Sequence, residues 1–178
     1  MTLAKICILG EVAVGKTSLV RRFVDGTFSE SYLTTVGVTI SRKRLFLPAP
    51  SGNGDVEVQL IFWDLEGRQN FRMISPSYQR GAHGAIIVGD VTRQETIDAI
   101  PMHIDQFRRI NPTSMVTVAL NKSDLQRDAG RTPPADRMHP GEMVPVQSTS
   151  AKTGEGVEQM IANLGVRILI GMKNGSSR

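Results

Sequence analysis

Cysteine, long apolar runs and dense charge are all scarce in this sequence. The 178 residues include one cysteine, Cys7, so no disulfide can form within the chain and a reducing compartment, the cytoplasm, is predicted. No apolar run approaches the ~18 consecutive residues that cross a bilayer. These absences argue against a disulfide-stapled secreted domain and against a transmembrane segment.

Positive charge is present but spread along the chain. Lysine and arginine number 21 against 17 aspartates and glutamates, which gives a formal net charge of +4. The densest basic stretches, at 21–22, 42–44 and 108–109, are short and contain no interleaved aromatic residues. We therefore predict that nucleic acid is not a partner.

The sequence does contain an alternation of strand-like and helix-like patterns. The runs ICIL, VQLIFW, AIIVGD and MVTVAL are short and apolar, and glycine, asparagine or aspartate bounds them, which is typical of buried strands. Between them, apolar residues recur at helical spacing within 19–24, 97–107 and 157–168. This order predicts a three-layer α/β fold with a mostly parallel sheet.

Two stretches rich in proline and glycine depart from that alternation. Residues 40–64 are two strand-like runs joined by such a stretch, which indicates a hairpin with an antiparallel edge strand. Between Gln126 and Met143, the composition predicts a surface excursion with at most a short helix. The domain is predicted to span 1–171, followed by a disordered tail at 172–178.

The segment Gly10–Thr17, GEVAVGKT, matches the phosphate-binding pattern G-x-x-x-x-G-K-T between a strand and a helix. Its glycines let backbone N–H groups surround a β-phosphate, its lysine reaches the β- and γ-phosphates, and its threonine hydroxyl binds Mg²⁺. The predicted nucleotide-binding residues in this region are Ala13, Val14, Gly15, Lys16, Thr17 and Ser18.

Two further segments predict which base accompanies the phosphates. In NKSD, at 121–124, the carboxylate of Asp124 can accept hydrogen bonds from the N1 and N2 hydrogens of guanine, which adenine lacks. In TSAKTGEGV, the N–H of Ala151 can reach guanine O6 and Lys152 can cover the ring. Each segment alone could be a solvated turn or a helix cap. Together, in this order after successive strands, they predict one crevice that binds a guanine nucleotide.

These motifs, together with FRMISPSYQRGAHGAIIVGDVT at 71–92, resemble the Ras superfamily of small GTPases, and most closely its Rab branch. The resemblance covers about residues 3–171. It implies a P-loop NTPase fold, the Ras-like G domain, with a six-stranded sheet and one antiparallel edge strand. It also implies a Mg²⁺-dependent switch that binds GTP or GDP and hydrolyses GTP.

The resemblance assigns further residues to the site. Phe28 would stack against guanine, and Thr35 would bind Mg²⁺ and sense the γ-phosphate. Asp64 would hold Mg²⁺ through a water, and the N–H of Gly67 would contact the γ-phosphate. The metal ligands are thus predicted to be Thr17, Thr35 and Asp64. The residues predicted around the base are Asn121, Lys122, Asp124, Leu125, Ser150, Ala151 and Lys152.

The implied partners would bind two switch loops. Residues 28–38 and 64–78 would order with GTP and relax with GDP, and effector, exchange-factor or activating proteins would contact them. Trp63 is either an anchor for such a partner or a part of the core. Rab-like proteins typically end in prenylated cysteines, whereas this chain ends in GSSR, so we expect no encoded lipid anchor.

The sequence departs from the family pattern at the residues of hydrolysis. Where the family has Thr-Ala-Gly-Gln-Glu, residues 65–69 read Leu-Glu-Gly-Arg-Gln. Arg68 has no acceptor to orient the attacking water, and the carboxylate of Glu66 would repel the γ-phosphate or compete for the metal. Val12 adds branched bulk to the phosphate loop. With Lys16, Thr35, Gly67 and Arg68 as the catalytic candidates, the prediction is slow hydrolysis.

Other interpretations of these substitutions stay open. Glu66 and Arg68 could form a surface ion pair with no mechanistic effect. Arg68 could instead act as a resident arginine finger, which stabilises charge in the transition state. A guanine-nucleotide-bound interaction module without catalysis is the alternative function, and NKSD argues against an ATPase or kinase.

Overall fold

The computed structural model describes residues 1–29, 37–65, 75–125 and 143–175. Within these ranges the strands are β1 (Thr2–Leu9), β2 (Val38–Pro48), β3 (Asp55–Leu65), β4 (Gly84–Asp90), β5 (Met115–Asn121) and β6 (Val146–Ser148). The α-helices are α1 (Lys16–Asp25), α2 (Ser75–Gln79), α3 (Gln94–Asp98), α4 (Ile100–Ile110) and α5 (Val157–Gly175), and a 3₁₀ turn spans Ser123–Leu125.

The described strands form one sheet in the order β2-β3-β1-β4-β5-β6. β2 pairs antiparallel with β3, and every other pairing is parallel. This arrangement confirms the predicted mostly parallel, six-stranded α/β sheet with an antiparallel edge strand. It also confirms the hairpin, whose strands are joined through 49–54.

Helices cover the sheet on both faces. α1 and α5 pack on one face, where Phe23, Phe62 and Ile161 belong to the same buried cluster. α4 packs on the other face, where Ile104 and Phe107 contact the apolar side chains of β4 and β5. All seven residues of β4 are buried because both of its faces are covered. β2 alternates instead, which fits an edge strand with only one covered face.

The helical pattern predicted from 97 to 107 is interrupted in the structure. α3 ends at Asp98 and α4 begins at Ile100. Pro101 explains the break, because it has no N–H to donate to the carbonyl of Ile97 four residues earlier. The two short helices still bury Ile97 and Ile104 in one cluster.

The C-terminal helix extends past residue 171, the predicted end of the domain. α5 continues to Gly175 and therefore includes residues 172–175 of the tail that the sequence predicts to be disordered. The helix continues because its apolar pattern does: Leu169 is buried, and Met172 packs against the same cluster. Residues 176–178 lie outside the described residues, as does 126–142, most of the predicted surface excursion.

The parallel strands bring their carboxyl ends to one edge of the sheet. The loops that follow β1, β5 and β6 leave from this edge, and they contain the three predicted nucleotide-binding segments. No helix in the described part of the chain is long and apolar enough to cross a membrane.

Candidate functional site

The chain turns sharply between β1 and α1, against β4 and the end of β5. Gly10 has a φ of 138° and Gly15 a φ of 98°, which are values that favour glycine. A Cβ on Gly10 would lie 2.3 Å from the carbonyl oxygen of Val88, and one on Gly15 would lie 2.3 Å from Nδ2 of Asn121. The two glycines of the motif are therefore required both by conformation and by close approach.

Lys16, the first residue of α1, is nearly buried. Its Nζ donates hydrogen bonds to the carbonyl oxygens of Gly10, at 2.9 Å, and Glu11, at 2.7 Å. The ammonium group is thus held by the first two residues of the turn that leads from β1 into α1. A cation in this position, beside backbone N–H groups at a helix N-terminus, suits an anionic ligand.

The side chains of Thr17 and Asp64, which both carry oxygen atoms, are in contact beside Lys16. Thr17 Oγ1 donates to Asp64 Oδ2 over 2.5 Å, and Asp64 is 1% exposed. The other carboxylate oxygen, Oδ1, is buried and has no hydrogen-bond partner among the described residues. Burial raises the pKa of Asp64, against the lowering effects of Thr17, Lys16 and Arg21.

This pair fits a magnesium ion. Mg²⁺ prefers hydroxyl, carboxylate and water oxygens, and a cation would supply the partner that the buried Oδ1 of Asp64 lacks. Its positive charge would also favour the ionised carboxylate, which burial disfavours. The residues present therefore fit the predicted ion, with Thr17 and Asp64 as the ligands that the structure brings together.

Asn121, the last residue of β5, links two of the three segments. Its Nδ2 donates to the carbonyl oxygen of Val14 over 2.9 Å, and its Oδ1 accepts from the N–H of Ala151 over 3.1 Å. The side chain is 1% exposed. A single amide thus sets the distance between the turn after β1 and the loop after β6.

The remaining motif residues also contact one another. Asp124 Oδ1 accepts from Ser150 Oγ over 2.5 Å, and Ser150 Oγ in turn accepts from the N–H of Thr153. Asp124 and Lys152 are both exposed at the crevice edge. These contacts hold the exposed carboxylate of Asp124 beside the loop that begins at Ser150.

Comparison with known proteins identifies the family. The Ras family model matches residues 5–170. The chain belongs to the Ras family. It is also 31% identical over 164 residues to Ras-related protein Rab-1C of Dictyostelium discoideum. The aligned stretch covers 91% of this chain and 79% of that relative.

Membership of the Ras family confirms the resemblance seen in the sequence. The chain is a Rab-like small GTPase, a P-loop protein of the GTP-binding switch class. Proteins of this class bind GTP or GDP with Mg²⁺ and hydrolyse GTP, and they generally interact with effector, exchange and activating proteins.

Asp90, at the end of β4, is a site residue that the sequence analysis missed. It is fully buried, and its carboxylate accepts from the hydroxyl of Thr92, from Arg93 and, at 2.6 Å, from Lys122 Nζ. Burial alone would raise the pKa of Asp90, but the hydrogen bonds from Lys122 and Thr92 outweigh it and lower that pKa. Asp90 thereby positions the lysine of NKSD, whose φ is 66°. The sequence feature that could have revealed Asp90 is an aspartate at the end of an otherwise apolar strand.

Two contacts, from the N-cap of α3 and from α4, reach the turn after β1, and neither was predicted. Arg93 donates to the carbonyl oxygen of Val12 over 2.7 Å. His103 Nε2 lies 3.1 Å from Glu11 Oε1. The turn is thus held at Glu11 and Val12 by these contacts and at Val14 by Asn121. Arginine and histidine at such positions have no fixed sequence spacing from the turn, so no motif could reveal them.

The other predicted site residues fall into two groups. Ala13 adopts a φ of 63°, Ser18 is half-buried, and Phe28 and Leu125 are exposed. Thr35, Glu66, Gly67 and Arg68 lie outside the described residues, as do large parts of the two predicted switch loops.

Proposed function

We propose that this Rab-like protein binds GTP and GDP in the crevice formed by 10–18, 121–125 and 150–152. The observation that carries the proposal is the position of Asn121, which fixes the phosphate loop to the loop after β6. One segment has the shape and charge for phosphates, and the other presents N–H groups beside an exposed carboxylate. Their spacing is set by a buried side chain and so does not depend on the ligand.

Guanine selectivity is proposed to come from Asp124. Ser150 orients its carboxylate through Oδ1, and a carboxylate can only accept hydrogen bonds when ionised. Guanine offers two donors, N1–H and N2–H, to such a group, whereas adenine offers none at the matching positions. Adenine would therefore leave a carboxylate unpaired in the bound complex.

Mg²⁺ is proposed to bind at Thr17 and Asp64, with Thr35 as a further ligand. When bound, the ion would neutralise charge on the phosphates. Lys16 would add a second positive charge at the mouth of the loop, where its ammonium group is already held by Gly10 and Glu11.

We further propose that hydrolysis of GTP is slow. Val12 is 36% exposed, so its branched side chain lies at the surface of the phosphate loop, where it would crowd a water or an incoming arginine. The carbonyl of Val12 is held by Arg93, which limits how far the loop can move away. Arg68 and Glu66 act in the same direction through their chemistry: the first cannot accept the proton of water, and the second brings negative charge towards the phosphate.

A partner surface is proposed at the switch loops and the strands between them. Trp63 is half-buried and packs beside Tyr78, with ring centroids 6.3 Å apart, while Lys5 Nζ lies 4.2 Å from the Trp63 ring. Ile40, paired with Trp63 across β2 and β3, is 47% exposed. We propose that Trp63 has both roles considered for it, because it packs against the core while Ile40 beside it adds exposed apolar surface for a partner.

Competition between nucleotides tests the proposed function. A fluorescent GDP derivative is bound in the presence of Mg²⁺ and then displaced by GDP, GTP or ATP. We expect GDP and GTP to displace it at least ~100-fold better than ATP, and Asp124→Asn to reduce that preference. Displacement by ATP at similar concentrations would contradict the assignment of the base site.

A further inference from the structure

Arg22, in the last turn of α1, makes three hydrogen bonds to backbone carbonyl oxygens. Its Nε donates to Ala151 over 2.8 Å, one terminal nitrogen donates to Lys152 over 2.5 Å, and the other donates to Gly26 over 3.0 Å. The side chain is half-buried. No motif of the site contains Arg22, yet it contacts the loop after β6 at the two residues predicted to meet the base.

The guanidinium joins that loop to α1, while residues of NKSD join it to the end of β5. On the NKSD side, the N–H of Ala151 is bonded to Asn121, and Ser150 Oγ is bonded to Asp124. From α1, Arg22 holds the carbonyls of Ala151 and Lys152. The loop is thus clamped between β5 and α1. A planar fork with five donors suits this task better than a lysine, which is a single flexible point charge.

The third bond of Arg22 extends the clamp to the end of α1. Gly26 ends the helix in a left-handed conformation, with a φ of 69°, and its N–H is bonded to the carbonyl of Arg22 itself. Lys43 Nζ, from β2, holds the carbonyls of Phe23 and Val24 in the same turn. The chain leaves this capped turn directly towards Phe28 and the first switch loop.

We propose that Arg22 is a positioning residue for the guanine site and sets the rate at which bound nucleotide leaves. It fixes the backbone of Ala151 and Lys152 against α1, and through Gly26 it ties that loop to the segment that precedes Phe28. One side chain, which is not among the residues proposed to contact the nucleotide, then joins the loop after β6 to the segment before Phe28. This inference rests on the proposed function, since it assigns Arg22 a role in the same guanine site.

Release of fluorescent GDP from the intact protein tests the proposal. Arg22→Met removes all three hydrogen bonds and keeps much of the side-chain volume, and we expect GDP to dissociate ~10- to 100-fold faster, because hydrogen bonds from a charged group are lost. Arg22→Lys keeps the charge and one bond, so its GDP release rate should fall between those of the wild type and Arg22→Met. Arg109→Met is the matched control, because Arg109 is exposed on α4, and it should release GDP at the wild-type rate.

A double-mutant cycle separates positioning from general stability. Lys152→Ala removes the side chain expected to cover the ring. If Arg22 acts through the loop, Arg22→Met should add little to the rate of Lys152→Ala, so that the two effects fall well short of multiplying. Full multiplication of the two effects would mean that Arg22 does not position the Lys152 side chain, and that part of the proposed role would be wrong.

The remaining outcomes separate failure of the role proposed for Arg22 from failure of the proposed guanine-nucleotide site. If Arg22→Met and Arg22→Lys both melt at the wild-type temperature and release GDP at the wild-type rate, the inference fails and the guanine site stands. If Arg22→Met does not fold, Arg22→Lys decides, and an unchanged rate there contradicts the inference. If the wild type and Arg109→Met bind no guanine nucleotide, the proposed function itself fails.

Discussion

The two ends of the crevice are built from different kinds of contact. At the phosphate end the backbone itself fits closely: Gly10 and Gly15 adopt positive φ angles and approach β4 and Asn121 within a distance that admits no Cβ. At the base end, the loop is held by side chains, through Arg22 on one side and the Asp124–Ser150 hydrogen bond on the other.

This difference predicts how each end responds to substitution. Because the two glycines of the phosphate end fit closely against their neighbours, an added side chain cannot be accommodated there. Such a substitution should abolish nucleotide binding. Side-chain hydrogen bonds are individually worth about 1 kcal/mol, or more where a charge takes part, so changes at the base end should alter the rate of release by degrees. The close fit of the glycines determines whether nucleotide binds, and the side-chain contacts of the crevice determine how long it stays.

The largest effect is expected from Gly15→Ala. The new Cβ would lie 2.3 Å from Nδ2 of Asn121 on a backbone with a φ of 98°, so we expect a loss of about 3 kcal/mol in the free energy of unfolding and loss of GDP binding. Urea unfolding and nucleotide titration measure the two effects.

A matched substitution in the hairpin turn provides the control for Gly15→Ala. Gly52 also has a positive φ, 76°, but nothing lies within 4 Å of its Cβ position. Gly52→Ala should therefore lose only about 1 kcal/mol and keep GDP binding. Equal losses in the two variants would show that close approach at Gly15 contributes nothing.

Asp64→Asn should have the next largest effect, at the metal side of the phosphate end. The wild type should release GDP several-fold faster when Mg²⁺ is chelated, because an ion bound at Thr17 and Asp64 stabilises the nucleotide complex. The variant has a neutral amide in place of the buried carboxylate and should release GDP at nearly the same rate with and without Mg²⁺. Stopped-flow release of fluorescent GDP with and without EDTA measures this.

The control for the metal prediction is an exposed aspartate on α3. Asp98→Asn removes one negative charge outside the crevice and should keep the wild-type response to EDTA. If Asp64→Asn responded to EDTA as strongly as Asp98→Asn does, the assignment of Asp64 to the metal would be wrong.

The smallest effect is expected at the base end, from Ser150→Ala. This variant loses the hydrogen bond to Asp124 and the one from Thr153, so GDP should leave ~3- to 10-fold faster, with binding retained. Ser51→Ala, in the exposed hairpin turn, should leave the rate unchanged. Complete loss of GDP binding in Ser150→Ala would remove the proposed difference between the two ends.

The fold and the crevice segments could be predicted because their signals are local. Apolar runs, turn residues and the GEVAVGKT and NKSD motifs lie within a few consecutive residues, and the order of strands then places them at one edge of the sheet. The break before α4 also had a local signal, Pro101, which the helical spacing of the neighbouring isoleucines outweighed in the prediction.

The contacts that hold the crevice together could not be predicted in the same way. Arg22 and Ala151 are 129 residues apart, and Arg93 lies 81 residues from Val12. Each arginine bonds to a backbone carbonyl, which every residue type has. The residue type at the accepting position therefore does not reveal the contact. Asp90 was more accessible to prediction, because a buried charge needs a partner and Lys122 follows the neighbouring strand.

Single-turnover hydrolysis tests the central claim, a guanine-nucleotide switch with slow catalysis. The protein is loaded with GTP and Mg²⁺, free nucleotide is removed, and conversion of the bound GTP to GDP is followed in the wild type and in a double variant, Arg68→Gln with Glu66→Ala. We predict that GTP persists for hours in the wild type and that the double variant converts it faster. Rapid conversion in the wild type, or equal rates in both proteins, would contradict the account.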